Sequence, residues 1–159
     1  MSLVVRRAVR ADVAALARLN AEVQALHVNA RPDVFVPVSE SALAQWFHAV
    51  LERPEYRAWL ADADGIPAGY LLAVIHDRPA TPFSKPRRWC EIDQLGVEEA
   101  MRGRGVARAL VEASVSWARD LGVGSIAAQC WAFNSEAQEA FAHLGFAPVT
   151  LRLERRLDS

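Results

Sequence analysis

The stretch Met101–Leu110, MRGRGVARAL, sets Gly103 and Gly105 among three arginines, Arg102, Arg104 and Arg108, just ahead of a run that becomes apolar at helical spacing. Upstream, Trp89 to Val97 reads as a strand; downstream, Gly103 to Leu121 reads as an amphipathic helix striped by Val106, Leu110, Ser114, Trp117 and Leu121. Strand, glycine turn, helix: that order aims the unpaired N–H groups of a helix N-terminus at one spot where the helix dipole also favours negative charge. An anion is expected there. The glycines admit a ligand close to the backbone, and the arginines add charge suited to phosphate oxygens.

Two familiar phosphate loops fail on residue identity. A P-loop needs Lys followed by Ser or Thr where Val106-Ala107 stands, and the dinucleotide fingerprint wants a third glycine or alanine where Arg108 stands. The pattern Arg102-Gly-Arg-Gly105-Val-Ala107 instead resembles the Gln/Arg-x-x-Gly-x-Gly/Ala signature of the GNAT superfamily of N-acetyltransferases. IDQLGV just upstream resembles that family's fourth strand, and NSEAQEAFAHLGF its Asn-x-x-Ala helix ending in Gly-Phe. The resemblance implies an α/β fold, one GNAT-like domain over residues 1–159, with a mixed sheet splayed between strands four and five and flanked by about four helices.

Function is implied in the same terms: transfer of acetyl from acetyl-CoA to a primary amine of a small molecule or peptide, by direct attack. The pyrophosphate would lie on Arg102, Gly103, Arg104, Gly105, Val106, Ala107 and Arg108. The backbone of Leu95, Gly96 and Val97 would hold pantetheine, and Asn134 would contact CoA, although Asn is also a preferred N-cap. An acyl-CoA sensor without turnover is the alternative, because Phe141 stands where many members carry a proton-donating tyrosine.

The residues themselves add to this. Apolar alternation at Cys90 and Ile92 slips phase at Gln94, Leu95 and Val97, which one extra residue near Gln94 to Gly96 accounts for. Glu91 and Asp93, two apart, share the face opposite Cys90 and Ile92; either suits a general base, and Asp93 lies nearer the bulge. Cys90 and Cys130 lack metal-ligand or disulfide-framework spacing and read as core, so no metal is expected.

Composition bounds the rest. The 159 residues carry 18 basic and 19 acidic side chains for a net charge of -1, which argues against a nucleic-acid or membrane-surface role. No apolar run approaches a membrane span and no leader is evident, so a cytoplasmic location is expected, with a homodimer left open.

The remaining elements are read from pattern. Leu3 to Ala8 is a strand, Asp12 caps a helix ending near His27, and Ser39 caps a second helix with Leu43, Trp46, Phe47, Val50 and Leu51 on its apolar face. Arg57 to Ala61 and Ala68 to Ile75 form a hairpin about Asp64-Gly65. His76 to Arg88, with three prolines, is an irregular loop carrying Lys85, Arg87 and Arg88. Ser125 to Trp131 is the fifth strand, and a helix comes after Asn134, with a capping box from Ser135 to Gln138 as a second way to start it. Gly145 ends that helix before a last strand with Val149, Leu151 and Leu153 in alternation.

Overall fold

The computed structural model describes residues 1–157. In chain order these are β1 (Leu3–Arg7), α1 (Val13–Ala30), α2 (Glu40–Leu51), β2 (Tyr56–Ala63), β3 (Ile66–Arg78), β4 (Arg87–Val97), α3 (Val106–Asp120), β5 (Ile126–Ala128) and α4 (Ser135–His143). The strands form one sheet in sequential order, antiparallel except for β4 and β5, which run parallel. Parallel neighbours need a crossover, and α3 supplies it. The chain divides into two compact units, Met1–Gln129 and a second that begins at Cys130.

In the first unit the apolar face of each helix decides which side of the sheet it covers. Leu16 and Leu19 of α1 and Phe47 and Val50 of α2 join Ala58, Leu60, Tyr70 and Leu72 of β2 and β3 in one buried cluster. On the opposite side α3 buries Val106, Leu110, Val111, Ser114, Trp117 and Ala118. Trp117 meets Trp59 of β2 edge to face at 5.6 Å. The Ser114 hydroxyl donates to Val111 O at 2.7 Å and so enters the core satisfied.

Arg6 ties β1 both to the start of α1 and to the neighbouring strand β2. Its guanidinium holds Asp12, ahead of α1, through Nη1 at 2.9 Å and Nη2 at 3.0 Å, and Asp62 of β2 through Nε at 2.7 Å. The hydrogen bonds to Arg6, then that from Val9 N–H, hold the Asp12 carboxyl below its ordinary range despite partial burial.

Several expectations from sequence are corrected. α1 runs three residues beyond His27, to Ala30, and stops where Pro32 restricts Arg31. The expected loop from His76 to Arg88 is strand at both ends: His76, Asp77 and Arg78 pair with Trp89, Arg88 and Arg87. Pro79, Pro82 and Pro86 all fall inside the shorter turn that remains, so none breaks a ladder. β5 keeps only Ile126–Ala128 of the expected Ser125 to Trp131.

In the second unit Asn134 caps α4, its side-chain oxygen accepting from Ala137 N at 3.1 Å. The capping box from Ser135 does not form, because Gln138 Nε2 donates instead to the Trp131 and Ala132 carbonyls. No strand comes after Gly145 among the described residues, and Val149, Leu151 and Leu153 are 85–89% exposed. Alternation marks a chain able to line one face of a sheet, but a strand exists only beside a partner.

Candidate active site

The Met101–Leu110 stretch begins with a turn. Gly103 has φ +73° and Gly105 φ +82°, the left-handed region, and Gly105 is the residue from which α3 starts. A Cβ at either position would meet nothing within 4 Å, so glycine is required here by dihedral angle and leaves open space above the backbone. No side chain caps this helix. Among the described residues no acceptor at hydrogen-bonding geometry takes the amide hydrogens of Gly103, Arg104, Gly105, Val106, Ala107 or Arg108. Arg102, Arg104 and Arg108 are exposed, whereas Val106 is buried, so only its backbone is available to a ligand. Arg102 Nε donates to Val97 O at 3.3 Å, fastening the turn to the end of β4.

β4 changes character along its length. Cys90, Glu91 and Ile92 pair with Ile126, Ala127 and Ala128 of β5 on one side and with β3 on the other. Beyond Ile92 the pairing with β5 ends, while the pairing with β3 continues to Val97. The edge of residues 93–97 therefore has no partner strand among the described residues, which is the splay. The extra residue is Asp93: Ile92 lies opposite Ala73 and Gln94 opposite Leu72. The bulge thus falls one residue earlier than the phase of the sequence suggested, and it leaves Leu95, Gly96 and Val97 opposite Leu71, Tyr70 and Gly69. Gly96 is buried, and a Cβ there would stand 2.7 Å from the Tyr70 ring and 2.9 Å from Val23.

The carboxylates lie where β4 loses its second neighbour. Cys90 and Ile92 are buried, Glu91 is half-buried and Asp93 is exposed, in keeping with the expected alternation. Asp93 reaches solvent from a crowded surround, and partial desolvation, then the Glu91 charge, raise its pKa above the ordinary carboxylate value, with His76 pulling the other way. Glu91 Oε2 accepts from Trp89 Nε1 at 3.1 Å and lies 3.7 Å from His76 Nε2. His76 in turn stacks on Trp89 with ring centroids 4.9 Å apart. Glu91 is thus partly engaged, and Asp93 is the freer acid. The Cys90 thiol is pushed up to about 11 by burial and then by Glu91, which leaves it protonated and inert at neutral pH.

Two residues of the resemblance lie in the second unit. Asn134 serves there as the cap of α4, and Phe141 packs edge to face on Phe146 at 5.2 Å, with no proton to give. Among the described residues no cluster of His, Cys, Asp and Glu fit to hold a metal is found. No helix among the described residues is long and apolar enough to cross a membrane.

Three polar side chains escaped the sequence reading of the site. Asn20 of α1, Tyr70 of β3 and Gln94 of β4 close a triangle: Asn20 Nδ2 donates to Tyr70 Oη at 2.7 Å and to Gln94 Oε1 at 3.1 Å, and Tyr70 Oη donates to Gln94 Oε1 at 3.1 Å. The only hint in sequence is an asparagine among Leu16, Leu19 and Val23 on the core face of α1.

Residues 20–146 match the acetyltransferase (GNAT) family. No curated protein matches at a significant level. Among solved structures, the BH1408 protein from Bacillus halodurans, crystallised as a tetramutant, is 26% identical with a TM-score of 0.88, covering 97% of this chain and 99% of that one. An aminoglycoside N-acetyltransferase in complex with CoA is 21% identical at TM-score 0.76, covering 99% of this chain and 96% of that one. A ribosomal-protein-alanine N-acetyltransferase from Brucella melitensis is 17% identical at TM-score 0.74, covering 99% and 100%. At these identities the last two speak for the fold alone. With the family match spanning most of its length, the chain belongs to the GNAT family of acetyltransferases, whose acetyl donor is acetyl-CoA.

Proposed function

We propose that the protein transfers the acetyl group of acetyl-CoA to a primary amine by direct attack. The observation that carries this reading is the juxtaposition of an uncapped helix start at Gly105 with a strand, β4, whose edge is unpaired beyond Ile92. Arg102 joins the two through Val97 O. The amides of Gly103–Arg108 would take the diphosphate, as dipole and open donors favour. The edge of Leu95, Gly96 and Val97 would take the pantetheine amides in place of a partner strand. The thioester would then lie by the bulge, where a fixed N–H facing the carbonyl oxygen stabilises the charge that grows during attack by about 3 to 4 kcal/mol.

Asp93 would accept the proton that the amine sheds. The nitrogen attacks the acetyl carbonyl carbon, the C–S bond breaks, and CoA leaves as a thiolate that takes a proton from water, its basicity being modest with a thiol pKa of about 8.5. The raised pKa of Asp93 suits the task, since a base nearer neutrality is a stronger acceptor that is still ionised. Cys130 as an acyl carrier is not needed. The absence of a donor at Phe141 favours a second reading, an acyl-CoA sensor.

Release of free thiol from acetyl-CoA, measured with a panel of primary amines (polyamines, aminoglycosides and peptides with free N-termini), separates the two. Amine-dependent thiol release is expected. Tight acetyl-CoA binding with no release above the amine-free rate across that panel would overturn catalysis in favour of sensing.

A further inference from the structure

The Asn20–Tyr70–Gln94 triangle is out of place in its surroundings. Tyr70 is fully buried and Asn20 is 5% exposed, in a cluster otherwise built from Leu, Phe, Val and Ala. Burying an amide and a phenol costs free energy even when they are hydrogen-bonded, and apolar side chains of like volume would serve stability as well. Such groups are best attested where they fix a register. The triangle joins three elements, and two of its corners flank the bulge: Gln94 directly succeeds the extra residue Asp93, and Tyr70 stands opposite Gly96.

The register has a clear competitor. Were β4 to pair with β3 without the bulge, Asp93 would lie opposite Leu72, Gln94 opposite Leu71 and Leu95 opposite Tyr70. Every residue after Ile92 would turn to the other face, and each N–H and C=O now directed at β3 would point to the open edge, and the reverse. Two features oppose that slip. Gln94 reaches Asn20 and Tyr70 only from the α1 side, and the Tyr70 ring occupies space that only a glycine opposite it leaves free, with a Cβ at Gly96 falling 2.7 Å away.

We propose that Asn20, Tyr70 and Gln94 are positioning residues: their hydrogen-bond triangle holds the bulge of β4 at Asp93 and so presents the edge groups of Leu95–Val97 in the register that pantetheine requires. This rests on the reading of that edge as the pantetheine site. The triangle touches neither cofactor nor acceptor; it acts through the backbone of β4. Desolvation keeps the buried Tyr70 hydroxyl protonated, so it remains a donor across the working pH range.

The test uses Tyr70→Phe, which removes one hydroxyl, and Gln94→Met, which keeps volume, and compares two probes by calorimetry. CoA spans both the α3 turn and β4; adenosine 3′,5′-bisphosphate and ADP lack pantetheine and reach only the turn. Each variant is expected to weaken CoA about tenfold, the worth of one hydrogen bond, while nucleotide affinity stays within about twofold and amide exchange at residues 94–97 accelerates. Unchanged CoA affinity and exchange, or equal losses for CoA and nucleotide, would overturn the proposal. Wild-type protein that binds CoA no better than nucleotide would instead remove the pantetheine reading, and amide exchange alone would then decide whether the triangle holds the bulge.

Discussion

α2 and α3 begin in opposite ways. α2 starts from Ser39, whose hydroxyl accepts from Ala42 N at 3.2 Å, with Glu40 in the first turn. α3 starts from Gly105, with no capping side chain, no acid in its first turn and arginines on either side of the start. A cap contributes about 1 kcal/mol, so a long helix that forgoes one leaves its donors to something else. The contrast separates a start capped by its own side chain from one left open, which the proposed function assigns to an anion.

Substituting the two starts should therefore give opposite signatures. Gly105→Glu places a carboxylate at the anion position and an L residue at φ +82°, and CoA affinity should fall by more than about a hundredfold. Calorimetry with CoA checks this, and a circular dichroism spectrum like that of the wild type shows whether the fold persists. Ser39→Ala should leave CoA affinity unchanged and lower stability by about 1 kcal/mol in urea titration. A loss of CoA binding in Ser39→Ala of the size seen at Gly105 would erase the distinction.

Asp93→Asn should reduce turnover about a hundredfold, the low end for a general base, with CoA affinity retained. The wild-type rate should fall with decreasing pH through a limb lying above the ordinary carboxylate pKa, and the variant should lack that limb. The same shift has a stability counterpart. A carboxyl whose folded pKa is raised favours folding only while protonated; that advantage is lost as pH rises through the folded pKa. Asp93→Asn should hence raise the melting temperature slightly at pH 7 and not at pH 3.

Asp12 carries the opposite sign and a smaller effect. Its folded pKa lies below the value of 3.8 it has unfolded, so the Arg6 contact stabilises the protein above that value and the contribution fades as pH falls through the folded pKa. Asp12→Asn should flatten the acid limb of a plot of melting temperature against pH below about 5.

Much of this was legible in the sequence because it is local. The Ser39 cap, the Asp64-Gly65 turn, now seen with positive φ at both residues, and the apolar stripe of α3 each need only a few neighbouring side chains. The glycine turn was legible for the same reason. Pairing was harder. The polar run His76–Arg78 carries no apolar alternation, so the outer three pairs of the β3–β4 ladder looked like loop, and Val149, Leu151 and Leu153 alternate without the partner that a strand needs. The bulge showed as a slip in phase, but alternation alone reveals a slip only after it has happened, hence one residue late. The Asn20–Tyr70–Gln94 triangle was out of reach, because it joins residues 50 and 74 positions apart through the rotation of α1 and the register of two strands.

The central claim is that one cofactor lies along the uncapped start of α3 and the unpaired edge of β4. Titrating CoA into uniformly 15N-labelled protein and tracking the amide resonances tests it most directly. The largest shifts should fall on Gly103–Arg108 and Leu95–Val97, with the Ala42 amide at the capped start of α2 unmoved. Saturable CoA binding that leaves those two groups of resonances in place would contradict the account.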